Sequence, residues 1–255
     1  MTEQTWVNVQ CDARGVAVLT INNPAKLNTL NTAVMTDLIA AAETLGRDRG
    51  VRVVVLRSAG ERAFIGGADI REMAGLDAGS ARTFITMVHR SCDVFRRMPV
   101  PVIARIQGWT LGAGLEVAAA CDMRVAAAGA RFGMPEVRVG LPSVVEAALL
   151  PGLIGWGRTR RLLLTGETID AAMASSWGLV EEVVPADQLD AAVERLVEAV
   201  LASGPCAVRL QKALIEDWQA MTVDAAIQHG IDGFVDAWAT NEPREMLEAF
   251  LRRPR

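Results

Sequence analysis

One carboxylate stands alone in the stretch Gly108–Asp122: Glu116, with no other Asp, Glu, Lys or Arg between Gln107 and Asp122. The residues after Gly112 have the composition of a helix that is apolar on every side, which predicts burial. Taking an unpaired carboxylate out of water is costly or drives its pKa up, so such a group is paired, hydrogen-bonded or kept for acid–base chemistry. The glycines of Gly112-Ala113-Gly114 favour chemistry. A glycine turn entering a helix lets a ligand approach the backbone, and the first helical N–H groups lack intrahelical acceptors and carry the positive end of the dipole. Such a terminus can hold a developing oxyanion. Gly66-Gly67-Ala68 is a second glycine-rich turn behind an expected buried strand. Strand-to-helix turns of a parallel sheet share one edge, so the two turns can face a common crevice, and two N–H groups converging there make an oxyanion hole. A second glutamate, Glu136, reads by itself as a loop residue.

The elements that must position these groups are legible from periodicity. Val16 to Ile21 predicts a strand, Asn22-Asn23-Pro24 a turn, and Asn31 caps a helix whose apolar face is Met35, Leu38, Ile39, Ala42 and Leu45. Val51 to Leu56 is a nearly continuous apolar run, as for a strand covered on both faces, and leads into the loop ending Gly66-Gly67-Ala68-Asp69. A helix over 82–97, a strand over 100–106, the Gly108 stretch and Met123 to Ala126 complete an alternating order that indicates an α/β fold with a mainly parallel sheet. From Ser143 the chain reads as mostly helical, with a strand at Leu179 to Val184 and helices starting near Arg158, Ile169, Ala186, Ala207, Val223 and Pro243. Ser203-Gly204-Pro205 is the best hinge, dividing a core of residues 1–203 from a helical piece, 204–255.

Composition excludes several classes of function. The net charge is −4, only Lys26 and Lys212 are lysines among 26 basic residues, and there is no long run of like charge, so nothing points to nucleic acid. Cys11, Cys92, Cys121 and Cys206 are scattered, with no C-x-x-C and only His89 and His229 to join them, which argues against a structural metal site and against disulfides. No G-x-G-x-x-G follows a strand, and P-loop, H-E-x-x-H and G-x-S-x-G patterns are missing. With no membrane-length apolar run, the expectation is a soluble, cytoplasmic protein. His89 and His229 read as ordinary helical histidines, and Trp177, Trp218 and Trp238 as helix-packing side chains.

At the two turns and the second glutamate the chain resembles the crotonase, or enoyl-CoA hydratase/isomerase, superfamily, over about Val7 to Arg253. Ala63-Phe64-Ile65-Gly66-Gly67-Ala68-Asp69-Ile70-Arg71-Glu72-Met73 is similar to its A-F-x-x-G-A-D-[IL]-[KR]-E-M segment. Gly108–Asp122 is similar to its G-x-x-x-G-[GA]-G-x-E-L-x-x-x-C-D segment, and Phe132 to Glu136 to its F-x-x-P-E, with Glu116 and Glu136 spaced as in the family's hydratases. The resemblance implies a ββα spiral core with a helical C-terminal trimerisation region, acting as a homotrimer or dimer of trimers. It implies water addition to a 2-enoyl-CoA, with coenzyme A entering only as part of the substrate and no other cofactor or metal. Glu116 and Glu136 would hold the water, while the Ala68 and Ala113 N–H groups take the thioester oxygen. Lys26, Leu27, Asp69, Ile70, Arg71, Gly112 and Pro135 would border the CoA thioester, with Arg71 near its phosphates; the family usually carries alanine where Lys26 stands. A double-bond isomerase or another enolate-forming enzyme is the near alternative, and a non-catalytic binding member the distant one.

Two carboxylates have bland explanations. Asp69 with Glu72 suits an N-cap and capping box, and Ser143 with Glu146 suits another. Where the resemblance predicts a glycine-rich I-P-G-A-G-G-T, this chain has Leu141-Pro142-Ser143-Val144-Val145-Glu146-Ala147-Ala148. Glu146 is therefore expected either to cap a helix or to enter the acyl pocket as an extra group.

Overall fold

In the computed structural model, residues 5–252 are described. The chain opens with an antiparallel pair, β1 (Val7–Cys11) and β2 (Val16–Ile21), followed by α1 (Thr32–Arg47). Asn31 caps α1 by accepting the Val34 N–H at 2.8 Å, and Met35, Leu38, Ile39, Ala42 and Leu45 are buried, as its spacing requires. Next come β3 (Val53–Ser58), β4 (Ala63–Ile65), the single turn α2 (Ile70–Met73) and α3 (Ala78–Arg96). Then follow β5 (Val102–Ile106), β6 (Trp109–Leu111), α4 (Ala113–Ala120), β7 (Met123–Ala127) and β8 (Arg131–Gly133). The remainder is α5 (Leu150–Thr165), β9 (Thr168–Asp170), α6 (Ala171–Trp177), β10 (Glu182–Val184), α7 (Leu189–Leu201), α8 (Pro205–Trp218), α9 (Val223–Ala237) and α10 (Glu242–Leu251).

The strands form two sheets. The larger runs β1-β2-β3-β5-β7-β10 and is parallel except for its β1–β2 edge. Alternation along β3 divides the core: Val54 and Leu56 face the cluster built with α1, α3 and α4, while Val53 and Val55 face the one covered by α7. The smaller sheet, β4-β6-β8-β9, is the unforeseen part. Each of its strands is three residues long, too short for a period of two to register in the sequence. Both glycine turns leave this sheet rather than the large one: β4 and β6 are parallel neighbours, and each runs directly into its turn.

All eight residues of α4, Glu116 among them, are buried. The last three helices contribute little to this core. Lys212 is buried on α8, whereas neither α9 nor α10 contributes a buried residue. Ile227, Ile231, Phe234, Trp238, Leu247 and Phe250 are all exposed there. Of the tryptophans expected to pack helices, Trp177 lies against the main core near Arg158 and Arg161, Trp218 of α8 lies against Gly230 of α9, and Trp238 stands edge-to-face with Phe234, the last two partly exposed. No helix among the described residues is long and apolar enough to cross a membrane, and all four cysteines are free.

Candidate active site

Two backbone features aim N–H groups into one place. Leu30 bridges the β4 turn, giving its N–H to the Gly67 carbonyl at 2.9 Å and accepting the Asp69 N–H at 2.8 Å. In that extended register the intervening Ala68 N–H must point the other way, and it has no acceptor among the described residues. At the second turn Gly112 adopts φ +51°, ψ −123°, a conformation open only to glycine, and this starts α4 with the Ala113 N–H likewise without an acceptor. Gly114 allows the two turns to meet. A Cβ at that position would lie 2.1 Å from the Ile65 carbonyl oxygen, at the end of β4.

The carboxyl groups converge on the same point. Glu116, in the first turn of α4, accepts the Ala147 N–H at 3.3 Å, its carboxyl's one hydrogen bond among the described residues. Burial first, and the charge of Glu136 second, push its pKa up to about 8, against an ordinary 4.5. Glu136 opens the 3₁₀ turn Glu136–Val139 and is half-buried. Its carboxylate lies over the Gly112 turn: a Cβ on Gly112 would come within 2.3 Å of Glu136 Oε1. Ser143 donates its hydroxyl to Glu136 Oε2 at 2.7 Å. Ala68, Ala113, Glu116 and Glu136 all line one cavity of about 610 Å³, whose other walls are largely apolar, among them Met73, Phe84, Val88 and Leu141. It can therefore hold an apolar chain with its polar end against two N–H donors and two carboxyl groups that are not both ionised at neutral pH.

The remaining expected residues lie around this centre. Lys26, Leu27 and Asn28 sit beside the β4 turn, where the Leu27 carbonyl accepts the Gly66 N–H at 2.9 Å and the buried Asn28 side chain donates to the carbonyls of Ala59 and Ala63. Lys26, Ile70 and Arg71 are exposed, and Pro135 directly precedes the glutamate. Asp69 is an N-cap, accepting the Arg71 N–H at 2.9 Å. Its expected capping box with Glu72 does not form, because Glu72 reaches across to the Thr32 N–H and hydroxyl instead.

Both expectations for Glu146 are overturned. It caps nothing: Ser143 is engaged by Glu136, and the 3₁₀ turn Val145–Leu149 has no side-chain cap. Nor does it line the cavity that Glu116 and Glu136 share. It is 3% exposed, behind the wall, with Oε1 2.8 Å from His89 Nδ1. His89, half-exposed on α3, thus has a buried carboxylate as its partner, and no local pattern could have joined residues 57 positions apart. His229 pairs with Asp217 at 2.9 Å. Among the described residues the nearest approach to a metal-ligand set is His89, Asp93 and Glu146. Asp93 is already engaged by Arg97 at 2.7 Å and lies 3.7 Å from Arg96, and two cations there oppose a third.

A family model described as enoyl-CoA hydratase/isomerase matches residues 12–255. The chain belongs to that family. It is 35% identical over 239 residues to a crotonyl-CoA hydratase of Syntrophomonas wolfei, covering 93% of this chain and 92% of that protein. It is 34% identical to a short-chain-enoyl-CoA hydratase of Clostridium acetobutylicum, covering 96% and 95%. A crystal structure of an enoyl-CoA hydratase from Mycobacterium smegmatis superposes with a TM-score of 0.95 at 32% identity, covering 99% of both chains. The architecture is therefore the crotonase fold, as the sequence resemblance implied.

Proposed function

We infer that the protein is an enoyl-CoA hydratase, adding water across the double bond of a 2-enoyl-CoA to give the 3-hydroxyacyl-CoA. The observation that carries this reading is the meeting of two carboxyl groups with two unengaged N–H donors in one largely apolar cavity. The Ala68 and Ala113 N–H groups take the thioester oxygen, drawing electron density from the double bond and stabilising the enolate. Water held between Glu116 and Glu136 bonds to C3 through its oxygen as its proton passes to one carboxylate, and the other carboxyl gives its proton to C2. The pair begins and ends with one proton, consistent with Glu116 retaining its own up to about pH 8. A double-bond isomerase needs one acid–base group and no bound water; the second carboxyl favours the hydratase.

On the same reading Lys26, Leu27, Asp69, Ile70, Arg71, Gly112 and Pro135 border the CoA thioester, with the exposed Arg71 toward its phosphates. The chain's own groups supply the acid, the base and the oxyanion donors, so no cofactor beyond the CoA of the substrate is required. The exposed apolar face of α9 and α10, on the 204–255 segment, is of the kind buried between subunits, and supports a homotrimer or dimer of trimers. Four free thiols fit a reducing, cytoplasmic compartment.

The test is a panel of enoyl-CoA thioesters incubated in ¹⁸O-labelled water and followed by mass spectrometry. Gain of labelled water is the expected result, and it should fall by about two decades or more in Glu116→Gln and Glu136→Gln with acyl-CoA binding retained. A shifted double bond without label would replace the hydratase with an isomerase, and no turnover by the unaltered protein would leave a binding role only.

A further inference from the structure

The turn beside Glu116 is held in a backbone conformation that its sequence disfavours. Val145 lies at φ +43°, in the left-handed region, where a β-branched residue is strained by roughly 1–3 kcal/mol and persists only if its surroundings over-determine it. The next residue is the buried Glu146, bonded to His89 on α3 at 2.8 Å. The one after is Ala147, whose N–H is shared between the Val144 carbonyl at 3.0 Å and Glu116 Oε1 at 3.3 Å, the Glu116 carboxyl's sole hydrogen bond among the described residues. Three consecutive residues thus run from a strained link, through an anchor on a neighbouring helix, to the acid–base group.

We propose that Glu146 and His89 are a positioning pair: their bond ties the Val145–Leu149 turn to α3 and so sets where the Ala147 N–H holds the Glu116 carboxyl. Only the identity of the reaction rests on the hydratase reading; the tie is a property of the site. It also has an electrostatic side. Burial raises the Glu146 carboxyl while His89, Arg96 and Asp93 act on it from α3; Glu146 and Glu116 both act on the buried Cys92 thiol, and Glu136 acts on Glu116 from its own turn. Glu146 Oε2 is buried without a partner among the described residues, so part of its charge is uncompensated and adds to the upward push on Glu116, after burial and Glu136.

Steady-state kinetics and a ¹³C-NMR titration of Glu116, in protein labelled at the glutamate carboxyl carbons and assigned with Glu116→Gln, test the pair together. His89→Ala should lower kcat about tenfold while KM stays within about twofold, and His89→Gln, which restores an N–H donor toward Glu146, should recover most of the loss. Glu146→Gln keeps the shape and removes the charge, so the Glu116 midpoint should fall by about half a pH unit or more, carrying the corresponding limb of kcat/KM with it. Should His89→Ala fail to fold, the isosteric Glu146→Gln decides the matter alone. A Glu116 midpoint and kcat unchanged in the folded variants would reduce the pair to a core contact and overturn the proposal. Absence of turnover by the unaltered protein would overturn the hydratase reading instead, because the Glu116 titration reads the electrostatic effect of the pair without any substrate.

Discussion

Helix α4 has two differently finished ends. At its N-terminus the Ala113 N–H has no acceptor among the described residues, and the Glu116 carboxyl has one long hydrogen bond at 3.3 Å. At its C-terminus almost everything is satisfied. The Arg124 guanidinium donates to the carbonyls of Ala118, Cys121 and Leu179 and pairs with Glu181. Asp122 accepts the Val102 N–H and the Lys212 ammonium, both at 2.6 Å, and Lys212 also donates to the carbonyls of Phe95 and Val100. The same short helix therefore leaves polar groups in reserve at one end and spends them on locking α8 to the core at the other. A buried polar group with its partners in place stabilises; one kept partly unpaired is available to a reacting molecule.

The largest expected effect falls on the reserved end. Ala113→Pro removes one N–H, and proline is tolerated at the first position of a helix, so the protein should fold while turnover drops by about two to three decades. A folded, fully active variant, judged by circular dichroism and enoyl-CoA turnover, would mean that Ala113 is not a donor and that the contrast between the ends is not functional.

The locked end should answer in stability instead. Lys212→Met leaves Asp122 and two carbonyls without their cation, and should cost about 3 kcal/mol in chemical denaturation while kcat/KM in the folded protein changes little. Loss of activity at full stability would reverse the assignment of roles.

A third test uses pH on the reserved end. The folded-state pKa of Glu116 is about 8 and its ordinary value 4.5, so the folded protein binds the extra proton between them. Its contribution to stability is full below the ordinary value and is lost as pH rises toward about 8. Unaltered protein should lose roughly 2 kcal/mol relative to Glu116→Gln between mildly acidic and mildly alkaline pH. Parallel stability curves for the two proteins would show that Glu116 is not buried as an acid.

The smallest effect is a refinement. Ser143→Ala removes the hydroxyl that Glu136 accepts at 2.7 Å, and should reduce kcat about fivefold, near 1 kcal/mol, with no change in melting temperature. An unchanged kcat would mean that Glu136 is oriented without it.

Much of this arrangement is legible in the amino-acid sequence, and what is not has physical causes. The cap at Asn31, the buried face of α1 and the isolation of Glu116 follow from local spacing, because a helix repeats within a few residues. The smaller sheet is hidden, since three-residue strands carry no period and are held by neighbours distant in sequence. Both expected capping boxes fail for one reason. Glu72 and Ser143 each find a partner outside their own turn, Thr32 and Glu136, and a local pattern cannot weigh a remote competitor.

By itself, the amino-acid sequence determined the alternation of elements, the two glycine turns, and a carboxylate in a helix too apolar to leave it solvated, along with the motifs that mark the family. Those are properties of neighbours along the chain. Only the tertiary structure decided that the turns leave adjacent strands of a second sheet, that Glu136 lies over Gly112, and that Glu146 turns away from the cavity to His89. Each is a contact between segments whose separation no local periodicity encodes, and close packing, as where Gly114 leaves no room for a Cβ against Ile65, is settled only when those segments meet.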